Sequence, residues 1–282
     1  MPFHGAFRGL SGAGNLYRGS EFHFVNDWVA PNTTYQSLVP TATVGDWSSD
    51  WYGASALVPQ YGTGRLGVVA LTPGTGPASY CRMKTIAGGA LDCATFQRIE
   101  AEAVVGVNQL SNATNEFWVE VGLVGNGWVA TVDPATGYKS GFAHCFRYKR
   151  TEGGTKWSAV NREQDTETVV TLDGATHGGV PTVDAGTIAP VNFGGAAGAG
   201  SNMFRLLVKL YADASGGPGA GSRAEYWVND VLCATVTTNM VTHSLAHSLN
   251  ILTTAGTAAT QALYVDYTRL SYYTLPGVVR LP

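Results

Sequence analysis

The segment from Phe204 to Tyr272 constrains the fold more than any other part of the chain. It holds the blocks FRLLVKLY (204–211), AEYWV and VLCATV (224–228 and 231–236), and ALYVDYTRL (262–270). Each alternates as a half-buried strand must, because successive side chains point to opposite faces. Phe204, Leu206, Val208 and Leu210 fall on one face, and Arg205, Lys209 and Tyr211 on the other. In the last block Leu263, Val265 and Tyr267 are expected to share a core face. Between the middle blocks stand Asn229 and Asp230, a two-residue break whose side chains tolerate positive φ and so suit a hairpin turn.

The same alternation starts near Gly64 and recurs in GRLGVVALT, YCRMKTI, FQRIEAEAVVGV, FWVEVGLVG, GFAHCFRYKR, TKWSAVNRE and TETVVTL. No segment sustains a helical period. About ten to twelve short strands joined by Gly-rich turns predict an all-β sandwich or jelly roll. The Gly-rich loops GGAAGAG (194–200) and SGGPGAG (215–221) lack a following phosphate-loop lysine, so they read as linkers. Residues 1–60 differ: they are aromatic, weakly periodic and broken by Gly and Pro. They read as an irregular docking arm with Phe3, Phe7, Tyr17, Phe22, Phe24 and Trp28 as docking side chains. A sandwich over 61–275 and a tail over 276–282 complete the expected organisation.

Charge narrows the partners. The formal net charge is −3, with no basic stripe, which argues against nucleic acid. No apolar run approaches the roughly 18 residues that span a bilayer, and MPFHGAFRGL lacks the form of a signal peptide, so synthesis in a cytosol is expected. Charged residues make up 13% of the chain, about half the average, which suits a surface packed against other subunits. Cys81, Cys93, Cys145 and Cys233 form no CxxC pair and are expected to be reduced and buried, although Cys81 and Cys93 would pair if they faced each other. Neither a metal site nor a cofactor is expected; His243 and His247 are four apart but outside a helical context.

The order GVVALT, RIEAEAVV, FWVEVGLVG, GFAHCFRY, KWSAV, FRLLVKLYAD, AEYWVNDVLCATV and LYVDYTRLSYY resembles the concanavalin A-like (laminin-G-like) jelly rolls of tailed-bacteriophage structural proteins. The resemblance covers roughly residues 64–273. It implies a virion protein made in the host cytoplasm: a capsid decoration protein, head fibre or tail attachment. As partners it implies further copies of this chain and other capsid or tail subunits.

Two sets of residues invite chemistry. Glu163, Asp165 and Glu167 are spaced i, i+2, i+4, which on one strand would put three carboxylates on one face. Retaining glycoside hydrolases of the same architecture carry such an ExDxE strand, and the likeness would make Glu163 the nucleophile, Asp165 its helper and Glu167 the acid/base. That family has apolar residues where Gln164 and Thr166 stand here, and a Trp-Pro where Asn161 and Arg162 stand. The trio therefore reads as an acidic strand edge, and the chain as non-enzymatic. The second set is aromatic. Trp118, Trp128, Trp157 and Trp227 are candidates for stacking on sugars; Trp118 and Trp227 stand out because each lies out of phase with the apolar face of its strand. Carbohydrate binding to a host surface glycan is thus the alternative to a purely structural virion role, with glycoside hydrolysis as a second alternative.

Overall fold

The computed structural model describes residues 21–27, 43–44, 47–52, 56–62, 65–74, 79–85, 96–107, 111–125, 132–133, 137–138, 141–153, 156–164, 166–172, 203–213, 219–241, 243, 245–255 and 261–274. In chain order the elements are β1 (Glu21–Asp27), β2 (Thr43–Val44), β3 (Trp47–Tyr52), β4 (Ala56–Gly62), β5 (Arg65–Thr72), β6 (Tyr80–Thr85), β7 (Phe96–Val107), β8 (Glu116–Gly125), β9 (Val132–Asp133), β10 (Gly137–Tyr138) and β11 (Phe142–Lys149). A single helical turn, α1 (Arg150–Gly153), then leads into β12 (Trp157–Glu163) and β13 (Thr166–Thr171). The chain continues with β14 (Phe204–Tyr211), β15 (Arg223–Val228), β16 (Val231–Val236), β17 (Leu245–Ala255) and β18 (Leu263–Thr274).

These strands form two antiparallel sheets. Sheet I runs β16-β15-β14-β7-β18-β5-β4, with β1 also pairing β18. Sheet II runs β13-β12-β11-β8-β17-β6-β3-β2. The core lies between them. Ile99, Ala101, Ala103 and Val105 of β7 and Leu206, Val208 and Leu210 of β14 meet Phe117, Val119, Val121 and Leu123 of β8 and Phe146 and Tyr148 of β11. Full burial of such a side chain contributes about 1.5–3 kcal/mol. Phe146 of sheet II meets Tyr226 of sheet I edge to face, with centroids 5.3 Å apart. The expected sandwich is therefore present.

The Asn229-Asp230 hairpin is also as expected: both residues have positive φ (48° and 67°), the signature of a twist-matched two-residue turn. At Gly122, in the middle of β8, φ is +146°, and a Cβ would lie 2.7 Å from the His144 carbonyl oxygen, so only glycine fits there.

Two expectations are corrected. First, residues 21–62 are not an irregular arm throughout. Strand β1 pairs with β18 over Glu21–Asp27, β3 with β6, and β4 with β5. Phe22 and Phe24 therefore lie in a paired strand, while Phe3, Phe7, Tyr17 and Trp28 are outside the described residues. Second, β18 carries a bulge between Val265 and Tyr267. Asp266 is the extra residue, and it shifts the phase so that Thr268, Leu270 and Tyr272 continue the inner face while Tyr267 moves to the outer one. His247 lies in β17, a central strand of sheet II, in keeping with its setting outside any helix.

Candidate functional site

Glu163 and Glu167 do not come together. Strand β12 ends at Glu163, the chain turns at Gln164 (φ 56°), and β13 begins at Thr166, so Glu163 pairs with Thr166 and Arg162 with Glu167 across a hairpin. The period of two breaks at that turn, which sends the two glutamates to opposite faces. Glu163 approaches His243 (3.5 Å), which stacks on Phe142 with centroids 3.8 Å apart. Glu167 accepts two hydrogen bonds from Arg147 (2.9 and 2.8 Å) and one from Arg162 (3.2 Å). Burial would raise the Glu167 pKa, but the bonds and charge of Arg147 and the charge of Arg162 outweigh it and hold the carboxyl at about 2. Asp165 lies outside the described residues.

Glu167 belongs instead to a buried network on the outer face of sheet II. Glu120 of β8 is wholly buried and lies 3.1 Å from Arg162 and 3.7 Å from Arg147. Arg147 also reaches Glu152 of α1 at 2.9 Å. For both arginines burial works to lower the pKa, yet the surrounding glutamates raise it, so both stay charged. Trp118 lies on this face, 5% exposed, with Lys149 over its ring at 3.7 Å. It packs near Tyr80, Val124, Cys145, Val160 and Leu252 in a small apolar cluster. Trp118 is thus a packing residue with little ring open to a sugar. Trp157 is fully buried in the main core, and Trp128 is outside the described residues.

A second buried network holds the chain after β16 to the sandwich. The Val241 N–H donates to His144 Nε2 (3.2 Å), which leaves Nδ1–H facing Asn161 Oδ1 (2.8 Å). The Tyr226 hydroxyl donates toward the same oxygen (2.5 Å), and Asn161 Nδ2 donates to the Thr238 carbonyl (2.9 Å). Burial pushes the His144 pKa down to about 4, and burial takes His247, in the interior of β17, to about 3. His243 and His247 go to different surroundings. Cys145 and Cys233 are buried free thiols and Cys81 is buried, while Cys93, its expected partner, lies outside the described residues.

The outer face of sheet I is different: its row Arg223, Tyr211, Arg98 and Tyr273 is partly exposed above buried Glu100 and Glu102. Backbone register places Arg223, Tyr211, Arg98 and Tyr273 side by side in one row across β15, β14, β7 and β18. Arg98 lies 3.9 Å from the centre of the Tyr273 ring and Arg223 4.1 Å from that of Tyr211. The next row carries Glu225, Lys209, Glu100 and Ser271; the third carries Trp227, Leu207, Glu102 and Arg269. Lys209 sits over the Trp227 ring at 4.3 Å, and the indole N–H donates to Glu225 (3.2 Å). Acids tie the cations together: Arg98 to Glu100 (3.2 Å), Arg269 to Glu102 (2.6 Å), and Arg205 to both Glu102 and Asp230. Of the sequence candidates, Trp227 belongs to this face. Its partners Arg98, Tyr211, Arg223 and Tyr273 were not singled out. Their signal is the polar phase of each strand, and it becomes a site once register aligns the four strands.

No protein-family model matches the chain, and no curated protein sequence matches it. Solved structures do resemble it. A protein of unknown function, SO2946 from Shewanella oneidensis MR-1, superposes with a TM-score of 0.54 at 11% identity, over 93% of this chain and 90% of that one. The endo-1,3-beta-glucanase from Streptomyces sioyaensis superposes with a TM-score of 0.50 at 15% identity, over 91% and 98%. The carbohydrate recognition domain of Emp47p is also similar, with a TM-score of 0.48 at 9% identity, over 94% and 100%. At such identities the likeness is one of fold. The chain is an all-β, concanavalin A-like jelly-roll sandwich of two antiparallel sheets.

Proposed function

We propose that this chain is a non-enzymatic jelly-roll module of a tailed-phage particle and that it recognises carbohydrate on the outer face of sheet I. The observation that carries the recognition reading is the set of three partly buried rings, Tyr211, Trp227 and Tyr273, each with a cation over it on one sheet face. Each cation covers one face of its ring, so the rings offer apolar edges to sugar C–H groups, and the adjacent cations and acids offer hydrogen bonds to hydroxyls. The non-enzymatic reading draws on Glu163 and Glu167, which face opposite ways across a hairpin, whereas a glycosidase needs two carboxyls flanking one bond. The phage setting is supported by the resemblance of the strand order and by the low share of charged residues, 13%. In that setting the chain assembles with further copies of itself and with other capsid or tail subunits, and Phe3, Phe7 and Tyr17 serve as anchoring side chains.

A glycan array with the full chain and with Trp227→Ala tests recognition. Binding that falls in the variant supports the reading, and a silent array with the folded full chain contradicts it. Electron microscopy of particles labelled against this chain tests the setting; absence of label from purified particles contradicts it.

A further inference from the structure

We propose that the outer face of sheet I takes an acidic polysaccharide, with Arg98 and Arg223 holding its carboxylates and Tyr211 and Tyr273 carrying its sugar rings. This rests on the carbohydrate reading above and names the ligand class for the same face.

The argument begins with periodicity. Adjacent strands lie about 4.8 Å apart, so the row Arg223–Tyr211–Arg98–Tyr273 repeats cation and ring every two strands, roughly 10 Å. A chain laid across the strands meets guanidinium and ring in alternation. Layering by depth comes next. The acids of this face sit low, with the Glu102 side chain 4% and the Glu100 side chain 10% exposed. The cations sit above them, with Arg98 at 36% and Arg223 at 41%. In the rows under the rings, solvent therefore meets guanidinium groups first. Asp230, at the turn beyond β15, is an exposed acid near this face, and it is tied to Arg205.

Geometry at the arginines favours carboxylate. Arg223 meets Glu225 through Nε at 2.8 Å, which leaves its terminal nitrogens for a ligand. A guanidinium fork matches a planar carboxylate, and Glu100 and Glu225 hold the two forks in place before a ligand arrives. A neutral glucan would meet the rings but offer no carboxylate to the terminal nitrogens of Arg223, which Glu225 leaves open. On backbone register the row ends at Glu21 of β1, opposite Tyr273, which makes the Arg223 side the expected entry for the acidic chain.

The test measures binding of the full chain to alginate and hyaluronate, with a neutral 1,3-β-glucan and single-stranded DNA as comparators. The expected result is binding to the acidic polysaccharides that weakens as salt rises, because exposed charges are screened. The double variant Arg98→Gln/Arg223→Gln should lower that affinity about tenfold or more while keeping a cooperative melting transition, because exposed ion pairs contribute only about 0–1 kcal/mol each. Tyr211→Leu provides a second variant that leaves all charges in place and should also weaken binding. Equal binding of the neutral glucan, untouched by the double variant, overturns this inference and leaves the carbohydrate reading standing. Absence of binding to every polysaccharide overturns both. Binding of DNA as tight as that of alginate, or alginate binding that survives both variants, overturns the assignment of this face.

Discussion

Arg162 and Glu167 face each other across a hairpin, 3.2 Å apart, while Glu163, the immediate neighbour of Arg162, points the other way toward His243. One turn, at Gln164, decides this. It converts an apparent row of carboxylates into one acid held by arginines and another beside a histidine. On the non-enzymatic proposal, the parent chain should release no sugar from a glycan panel, and neither Glu163→Gln nor Glu167→Gln should change that. Release that disappears in Glu163→Gln would restore the glycosidase reading.

The buried arginines on sheet II carry a large stability consequence. Arg147→Met removes a partner from Glu120, Glu152 and Glu167 at once. Loss of one member of a buried ionic network costs about 3–5 kcal/mol. Urea denaturation should show a lower midpoint, and Glu120→Gln added to Arg147→Met should recover part of the loss.

Gly122 is a sharper test of the same sheet. A Cβ there would lie 2.7 Å from the His144 carbonyl oxygen and 2.9 Å from the Cys145 Cα. Both obstacles are backbone, so the neighbouring strand β11 must move. Gly122→Ala should destabilise by about 1–3 kcal/mol, read from the same denaturation curves. An unchanged midpoint would mean that β8 and β11 are not packed as described.

Acid should weaken the fold in two overlapping stages. Burial lowers the pKa of His144 from 6.5 to about 4 and that of His247 to about 3, so the unfolded chain takes up these protons first. The stability these residues provide is whole above pH 6.5. It is lost as pH falls toward 4 and 3, at up to about 1.4 kcal/mol per pH unit for each histidine. Glu167 follows. Its folded pKa is held below 4.5, at about 2, by Arg147 and Arg162 against the opposing effect of burial. Its share is present above pH 4.5 and is lost as pH falls to 2. Melting temperatures between pH 7 and 4 should fall less steeply in His144→Gln than in the parent.

The strands at the start of the chain yield another test. Deletion of residues 1–62 removes β1, β3 and β4, the partners of β18, β6 and β5. It bares sheet edges that otherwise have partners. The shortened chain should lose cooperative melting in circular dichroism. A deletion product with the parent's melting temperature would show that the sandwich does not need these strands.

How much was legible in the sequence follows from where the alternation stayed clean. Strands β14 and β15 and the Asn229-Asp230 turn could be read directly, because one face is apolar throughout and the turn residues suit positive φ. Strand β18 was found, but its phase was not, since a single bulged residue, Asp266, moves Tyr267, Arg269 and Tyr273 to the outer face. Strand β17 escaped because buried His247, Ser248 and Asn250 interrupt its apolar pattern. β1, β3 and β4 were obscured by the glycines and prolines around them. Trp227 could be marked from its phase alone. The row that surrounds it depends on register between β7, β14, β15 and β18, and cross-strand register is a long-range property that no local period encodes.

Side-chain footprinting of the full chain with and without bound glycan tests the central claim most directly. The expected result is protection of Tyr211, Trp227, Tyr273 and their neighbours on β7, β14, β15 and β18. Protection that falls instead around Trp118, Glu120 and Arg147 on the outer face of sheet II, with the first face unchanged, would contradict the account.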